Sequence, residues 1–273
     1  MIGSYVFMVA CIILVGFLSY VTGAEAIKDN YKTTAVQSMD MLGEYIDFGF
    51  ENVKGIAIEY LTDEQVRNYL TGKMASSQTE QMNYYNDKKA ELVTKSTADS
   101  FIKDIYFISD GVASLSTNKI SAENLYGEYM KSEQGTLVSE DMQKYYWLGN
   151  PSVIDQVLET DTSSYAVRVV KNFYKKDALL VIDIDTQTLK GVLEQIDFGE
   201  GSKLAFVTSD GVELSQDGSR EVVFSTTDFY KVAVDSEETA GIIENAVLDG
   251  KEYLFLENLK EQILWCVPLF QMK

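Results

Sequence analysis

The sequence predicts an α+β protein with antiparallel sheets, and three observations carry that prediction. An apolar strand run into a turn is written twice. Ile105-Tyr106-Phe107-Ile108-Ser109-Asp110-Gly111-Val112 recurs as Ala205-Phe206-Val207-Thr208-Ser209-Asp210-Gly211-Val212, with Ser-Asp-Gly-Val identical in both. Short runs rich in β-branched and aromatic residues alternate with segregated helical stretches, which favours antiparallel sheets over a βαβ series. The chain also opens on an uncharged apolar run that leads into a long helical pattern.

That opening run, Ile2 to Ala24, carries no charge. As a helix it spans roughly 34 Å, enough for a bilayer core. Tyr5 and Tyr20 sit where interfacial aromatic residues are expected. A cleaved signal peptide is the competing reading, because Ala24-Glu25-Ala26 mimics a small-residue cleavage site. The missing basic n-region and the length of the run favour an anchor. Nothing basic precedes the run, so charge bias does not orient it.

From Glu25 to about Gly72 the pattern is helical. Ala35, Met39, Leu42, Ile46, Gly49, Val53, Ile56 and Tyr60 recur at intervals of three or four, beside a stripe of Asp40, Glu44, Asp47, Glu51 and Lys54. This reads as a stalk helix leaving the membrane, packed on its own domain and able to carry small movements to the other side.

Strands follow at Phe101 to Ser109 and Val112 to Ser116, joined by a tight Asp110-Gly111 hairpin turn with positive φ at both residues. A polar, helical and looped stretch runs through Ser139, followed by strands at Lys144 to Leu148, Tyr165 to Phe173 and Ala178 to Ile184. Lys175-Lys176-Asp177 connects the last two. Thr186 to Ile196 reads as a short helix with Leu189, Val192, Leu193 and Ile196 on one face. Gly199-Glu200-Gly201-Ser202-Lys203 lacks the length and the Gly-Lys-Ser order of a phosphate loop and reads as a linker. The second module starts at Ser202, runs through Val222 to Val234, and turns helical from Ser236 to Leu248. It closes with Glu252–Glu257 paired to Gln262–Leu269 across Asn258-Leu259-Lys260.

Composition removes several classes of function. Forty-two acidic residues against 23 basic ones give a net charge of −19, which repels nucleic acid and anionic lipid. There is no histidine, so Ser-His-Asp and Cys-His catalysis and His-ligated zinc are excluded, while carboxylate and Ser/Lys mechanisms survive. Cys11 and Cys266 stand in no metal-binding or disulfide-framework spacing. No cofactor and no catalytic or metal-ligating set is expected.

The order of elements, with the Tyr145-Tyr146-Trp147 strand, the Ala178-to-Thr186 strand running into a helix, and the closing Trp265-Cys266-Val267-Pro268, resembles the double Cache (dCache) family of extracellular sensors. The resemblance covers residues 25 to 270. It implies a transmembrane helix over 1–24, a long stalk helix over 25–72, a membrane-distal PAS-like ligand-binding lobe over 73–186, and a connecting helix with a membrane-proximal PAS-like lobe over 187–270. It further implies a non-catalytic sensor at the cell membrane with its sensory part extracellular, dimeric through the stalk and serving chemotaxis. A sensor histidine kinase or cyclic-dinucleotide enzyme would be the alternative output. Family members continue into a second membrane helix, so the chain reads as the sensory portion of a longer receptor.

A ligand site is expected in the distal lobe. Tyr106, Tyr145, Trp147, Tyr165 and Arg168 would form aromatic walls around one guanidinium, suited to a small carboxylate or a planar polar molecule. The plainer alternative makes these aromatics sheet core and leaves Arg168 in solvent. The resemblance adds Asp183, matching an aspartate that helps amino-acid-binding members hold an ammonium. It also exposes two departures: Lys144 stands where those members carry arginine, and Val167 stands in place of a second aspartate. Both point away from α-amino acids and toward a carboxylic acid or nucleobase-like metabolite. Asp183 and Asp185 share a strand face and form only a partial shell for a divalent cation, with Asp185 better placed to open the next helix. The rival readings are an anchored surface hydrolase, which needs two convergent acids, and an adhesion module, which needs a broad exposed apolar patch.

Overall fold

A computed structural model describes residues 2–74, 77–118, 124–173, 178–196, 202–234, 240–248, 251–260 and 263–269. The first element is helix α1 (Ile2–Thr62). The chain divides into two compact units, Met1–Met41 and Leu42–Lys273. In the first, the apolar run is helical, and its best stretch has a mean hydropathy of 2.3 with large side chains such as Phe7, Ile12 and Phe17 exposed. It is long and apolar enough to cross a membrane.

In the second unit the helical pattern ends earlier than the sequence suggested. Asp63 breaks it: its backbone is extended, and its carboxylate accepts from the amides of Gln65 and Val66 to cap a separate helix, α2 (Glu64–Leu70). The buried face of α1 here is Leu42, Ile46, Phe50, Val53, Ala57 and Tyr60. Phe50 and Ala57 displace the predicted Ile56 from that face. A helix absent from the sequence reading, α3 (Gln78–Ala98), opens on a capping box between Ser77 and Glu80.

The first sheet contains β1 (Ile102–Ser109), β2 (Leu115–Ser116), β3 (Tyr146–Leu148), β4 (Tyr165–Asn172) and β5 (Ala178–Asp185). Helices α4 (Leu125–Lys131), α5 (Glu133–Glu140) and α6 (Val153–Leu158) lie between its strands in sequence, and α7 (Thr186–Glu194) leaves it. The second sheet contains β6 (Ala205–Val207), β7 (Glu213–Ser215), β8 (Ala240–Leu248), β9 (Lys251–Lys260) and β10 (Ile263–Leu269), with α8 (Asp228–Val234) before β8. The spatial orders are β2-β1-β5-β4-β3 and β7-β6-β10-β9-β8, every pair antiparallel. Numbered within each module, both read 2-1-5-4-3, so the duplicated motif marks a duplicated topology.

Several local expectations are corrected. The predicted helix over Ser236–Leu248 is β8 from Ala240 onward. Ile242, Ile243 and Val247 are β-branched, and pairing with β9 outweighs their helix-like spacing. Asn258, Leu259 and Lys260 belong to β9 and not to a turn, while the Lys175-Lys176-Asp177 connection and most of the 199–203 linker lie outside the described residues. The Asp-Gly turns are not the primed type, since of the four residues only Gly211 has positive φ. Val207 pairs with Glu213, and Phe107 with Leu115, leaving loops longer than two residues.

Candidate functional site

Register places the candidate residues on two faces of the first sheet. Asp104, Asp183, Arg168 and Leu148 form one row across β1, β5, β4 and β3. The next row on that face is Tyr106, Val181, Val170 and Tyr146. Leu125, Tyr129, Val138 and Ile154 from α4, α5 and α6 close over this face and share one apolar core with it. Tyr145 and Trp147 fall on the other face. Trp147 stacks on Phe50 of α1 with ring centroids 4.5 Å apart, and the Lys171 ammonium sits 5.2 Å from the Tyr145 ring.

Tyr165 joins Arg168 only because the strand is irregular. Three positions apart, the two would point to opposite faces of a regular strand. The register shifts between Tyr165 and Val167, a bulge that turns Tyr165 back to the Arg168 side. The guanidinium then lies 4.4 Å from the Tyr165 ring centre. The structure thus brings together Tyr106, Tyr165, Arg168 and Asp183, and places Tyr145 and Trp147 elsewhere.

Arg168 is 1% exposed, which corrects the alternative that put it in solvent. Its five N–H groups are all taken. Nε donates to Asp183 Oδ1 at 2.6 Å and Nη2 to Asp183 Oδ2 at 2.8 Å. Nη2 also donates to Asp155 Oδ1 at 2.9 Å, and Nη1 to Asp155 Oδ2 at 3.0 Å and Ser152 Oγ at 2.9 Å. Tyr165 adds its hydroxyl to Asp155 Oδ2 at 3.0 Å. Burial opposes the charge on Arg168, yet the two carboxylates outweigh it and hold the group well above its ordinary pKa. Burial pushes the Asp183 carboxyl up against the pull of that guanidinium.

Two hydroxyls beside this network, on Tyr106 and Tyr129, are fully buried, and that of Tyr129 finds no hydrogen-bond partner among the described residues. Burial raises the pKa of both. An unpaired buried hydroxyl costs about 1–3 kcal/mol and calls for a partner. Ser152 and Leu148 also line an open cleft of about 830 Å³ between α5 and the loop after β3. Its charged lining is Glu133, Glu140 and Asp210, with Gln134, Asn150 and Gln156 as polar partners and no basic side chain among the described residues. Asp185 caps α7 through the Thr188 amide at 2.9 Å, the helix-opening role expected of it.

Ser152, Asp155, Tyr129 and Asp210 escaped sequence reasoning. One signal was available: Ser152-Val153-Ile154-Asp155 is a capping box, with Asp155 returning to the Ser152 amide at 2.7 Å.

Solved structures share this architecture. The extracellular domain of rpHK1S-Z16, described as a histidine kinase, is 11% identical, with 84% of this chain and 90% of that chain covered at a TM-score of 0.57. A domain of a Vibrio parahaemolyticus protein described as sensory box/GGDEF is 14% identical, covering 88% and 96% at 0.56. The extracellular domain of vpHK1S-Z8, also described as a histidine kinase, is 10% identical, covering 89% and 95% at 0.53. No family model matches the sequence, and no curated protein matches it significantly. What these structures share with the chain is the fold. It is a long N-terminal helix followed by two antiparallel sheet modules.

Proposed function

We propose that the chain is the extracellular, non-catalytic sensory part of a transmembrane receptor, binding a small polar ligand in its first sheet module. Residues 1–24 would anchor it and 25–72 form the stalk. Residues 73–186 would be the membrane-distal lobe and 187–270 the proximal one. The carrying observation is the 830 Å³ cleft that meets the buried charged network at Ser152. Its size suits a small molecule. Arg168 has no N–H left for a ligand carboxylate, and the cleft presents three acids, so the ligand is an amine or a neutral polar molecule. The same engagement of Asp155 and Asp183 argues against a two-carboxylate hydrolase. Chemotaxis is the favoured output, with a histidine kinase or cyclic-dinucleotide enzyme as the alternative. Exposed Tyr45 (50%) and Phe48 (75%) on α1 support a homodimer along the stalk.

The test is a thermal-shift screen of the whole chain in detergent against diamines, amino acids, dicarboxylates and nucleobases. A ligand at a hundred times its dissociation constant stabilises by about 2.7 kcal/mol. Amine hits that disappear in Glu133→Gln or Glu140→Gln are expected. Hits confined to dicarboxylates would overturn the ligand class, and silence across the panel would overturn the sensor reading.

A further inference from the structure

The Ser-Asp-Gly-Val motif occurs twice, and each copy uses its aspartate to grip a pair of consecutive backbone amides. Asp110 accepts from the amides of Tyr126 at 3.1 Å and Gly127 at 2.9 Å, in the first turn of α4 and within its own module. Asp210 accepts from Gly149 at 2.7 Å and Asn150 at 2.9 Å, which belong to the other module. The chemistry is the same and the reach differs.

The surroundings reinforce the second grip. Thr208 Oγ1 donates to Asp210 Oδ1 at 2.6 Å, and Asn150 Nδ2 returns a bond to the Asp210 carbonyl at 3.2 Å. Ser209 Oγ donates to the Trp147 carbonyl at 2.5 Å. Arg220, also from the second module, reaches the carbonyls of Gly149 and Tyr165. Gly149 has room for no side chain, because a Cβ there would lie 2.6 Å from Val212 Cβ and 2.8 Å from Thr208 Oγ1. The held loop leads directly to Ser152, which caps α6 and accepts from Arg168. Asp210 itself lines the cleft.

We propose that Asp210 is a latch through which the second sheet module sets the conformation of loop 149–152, and with it one wall of the first module's cleft. A ligand that moves that wall changes the grip of Asp210, so occupancy of one module and its contact with the other are linked in both directions. The biological meaning rests on the sensory reading of the cleft. The physical claim does not.

Hydrogen–deuterium exchange on the full chain in detergent, with no ligand added, separates the two. In Asp210→Asn the amides of Gly149 and Asn150 should exchange about tenfold faster or more, since bonds to a charged acceptor are the strong ones. The acceleration should continue through α6. Asp110→Asn should act on α4 and leave α6 unchanged. Acceleration that stops at Asn150, or stays within 205–215, would overturn the latch. So would an equal effect of Asp110→Asn on α6, which would mark general loosening. Should Asp210→Asn fail to fold, Ser209→Ala removes one bond across the same contact. A smaller acceleration at 149–158 is then expected, and no change would refute the proposal.

Discussion

Replacing Arg168 by methionine tests whether the buried network is the keystone of the first module. The substitution keeps an unbranched chain of similar reach and removes five hydrogen bonds between 2.6 and 3.0 Å. It leaves Asp155 and Asp183 facing each other, with Asp183 1% exposed. Removing one partner of a buried ion pair costs about 3–5 kcal/mol, because the remaining charge is desolvated and unpaired. For a chain of this size that corresponds to a fall in melting temperature of about 6–20 °C. Urea unfolding followed by tryptophan fluorescence reads it, since Trp147 is buried on the opposite face of the same sheet.

The pH dependence sharpens the test. Burial already raises the Asp183 carboxyl, and removing the guanidinium takes away the opposing pull. A carboxyl whose folded pKa lies above its unfolded value contributes stability at low pH, and loses it as pH rises through the folded pKa. Arg168→Met should therefore be most deficient at pH 8 and recover part of the deficit by pH 5. Adding Asp155→Asn and Asp183→Asn should restore much of it at pH 8. A deficit below about 1 kcal/mol, as for an exposed ion pair, or one of equal size at both pH values, would refute the reasoning.

Three further outcomes follow from local geometry. Asp63→Ala removes the α2 cap and the 3.2 Å contact to Lys88, and should cost about 1 kcal/mol at pH 7. Partial burial works against that carboxylate, but Lys88 and the amides of Val66 and Gln65 hold its pKa below the ordinary 3.8. Its contribution is therefore present above that value and lost as pH falls, so wild-type and variant melting curves should converge on acidification. Gly135→Ala should cost about 1–3 kcal/mol in urea unfolding, because its Cβ would press on the Tyr129 carbonyl and Met130 Cα, backbone atoms that no rotamer change can move. Trp147→Ala should cost about 3–5 kcal/mol by emptying the contact with Phe50, while Trp147→Phe should leave any ligand-induced thermal shift unchanged.

The fold was largely legible because its strongest signal was internal. Two copies of one strand–turn motif imply two copies of one sheet, and both sheets have the order 2-1-5-4-3. The failures lie where long-range pairing decides. Residues 240–248 carry apolar positions that fit a helix locally, and only β9 alongside makes them a strand. The candidate site was legible in part for the same reason. Alternation along the strand puts Tyr145 and Trp147 on one face, but does not say that Arg168 occupies the other. The bulge that unites Tyr165 with Arg168 is a property of the pairing with β5, and no local spacing announces it.

The departures from the amino-acid-binding pattern gain a physical meaning from this geometry. Lys144, in the place of an expected arginine, is exposed, and Val167, in the place of an expected acid, is a buried apolar residue. Asp183, the acid that does match, is held by the chain's own guanidinium. A ligand ammonium would have to displace Arg168 from two aspartates to reach it, forfeiting bonds that no small amine replaces in number. The position that an ammonium would neutralise is already neutralised from within. A cationic ligand must then sit further out, against Glu133, Glu140 and Asp210, where carboxylates line the open cleft. Of these only Asp210 comes from the second module, and it is also the residue that holds the loop leading back to Arg168. The acidic lining of the cleft and the contact between modules thus meet at one side chain.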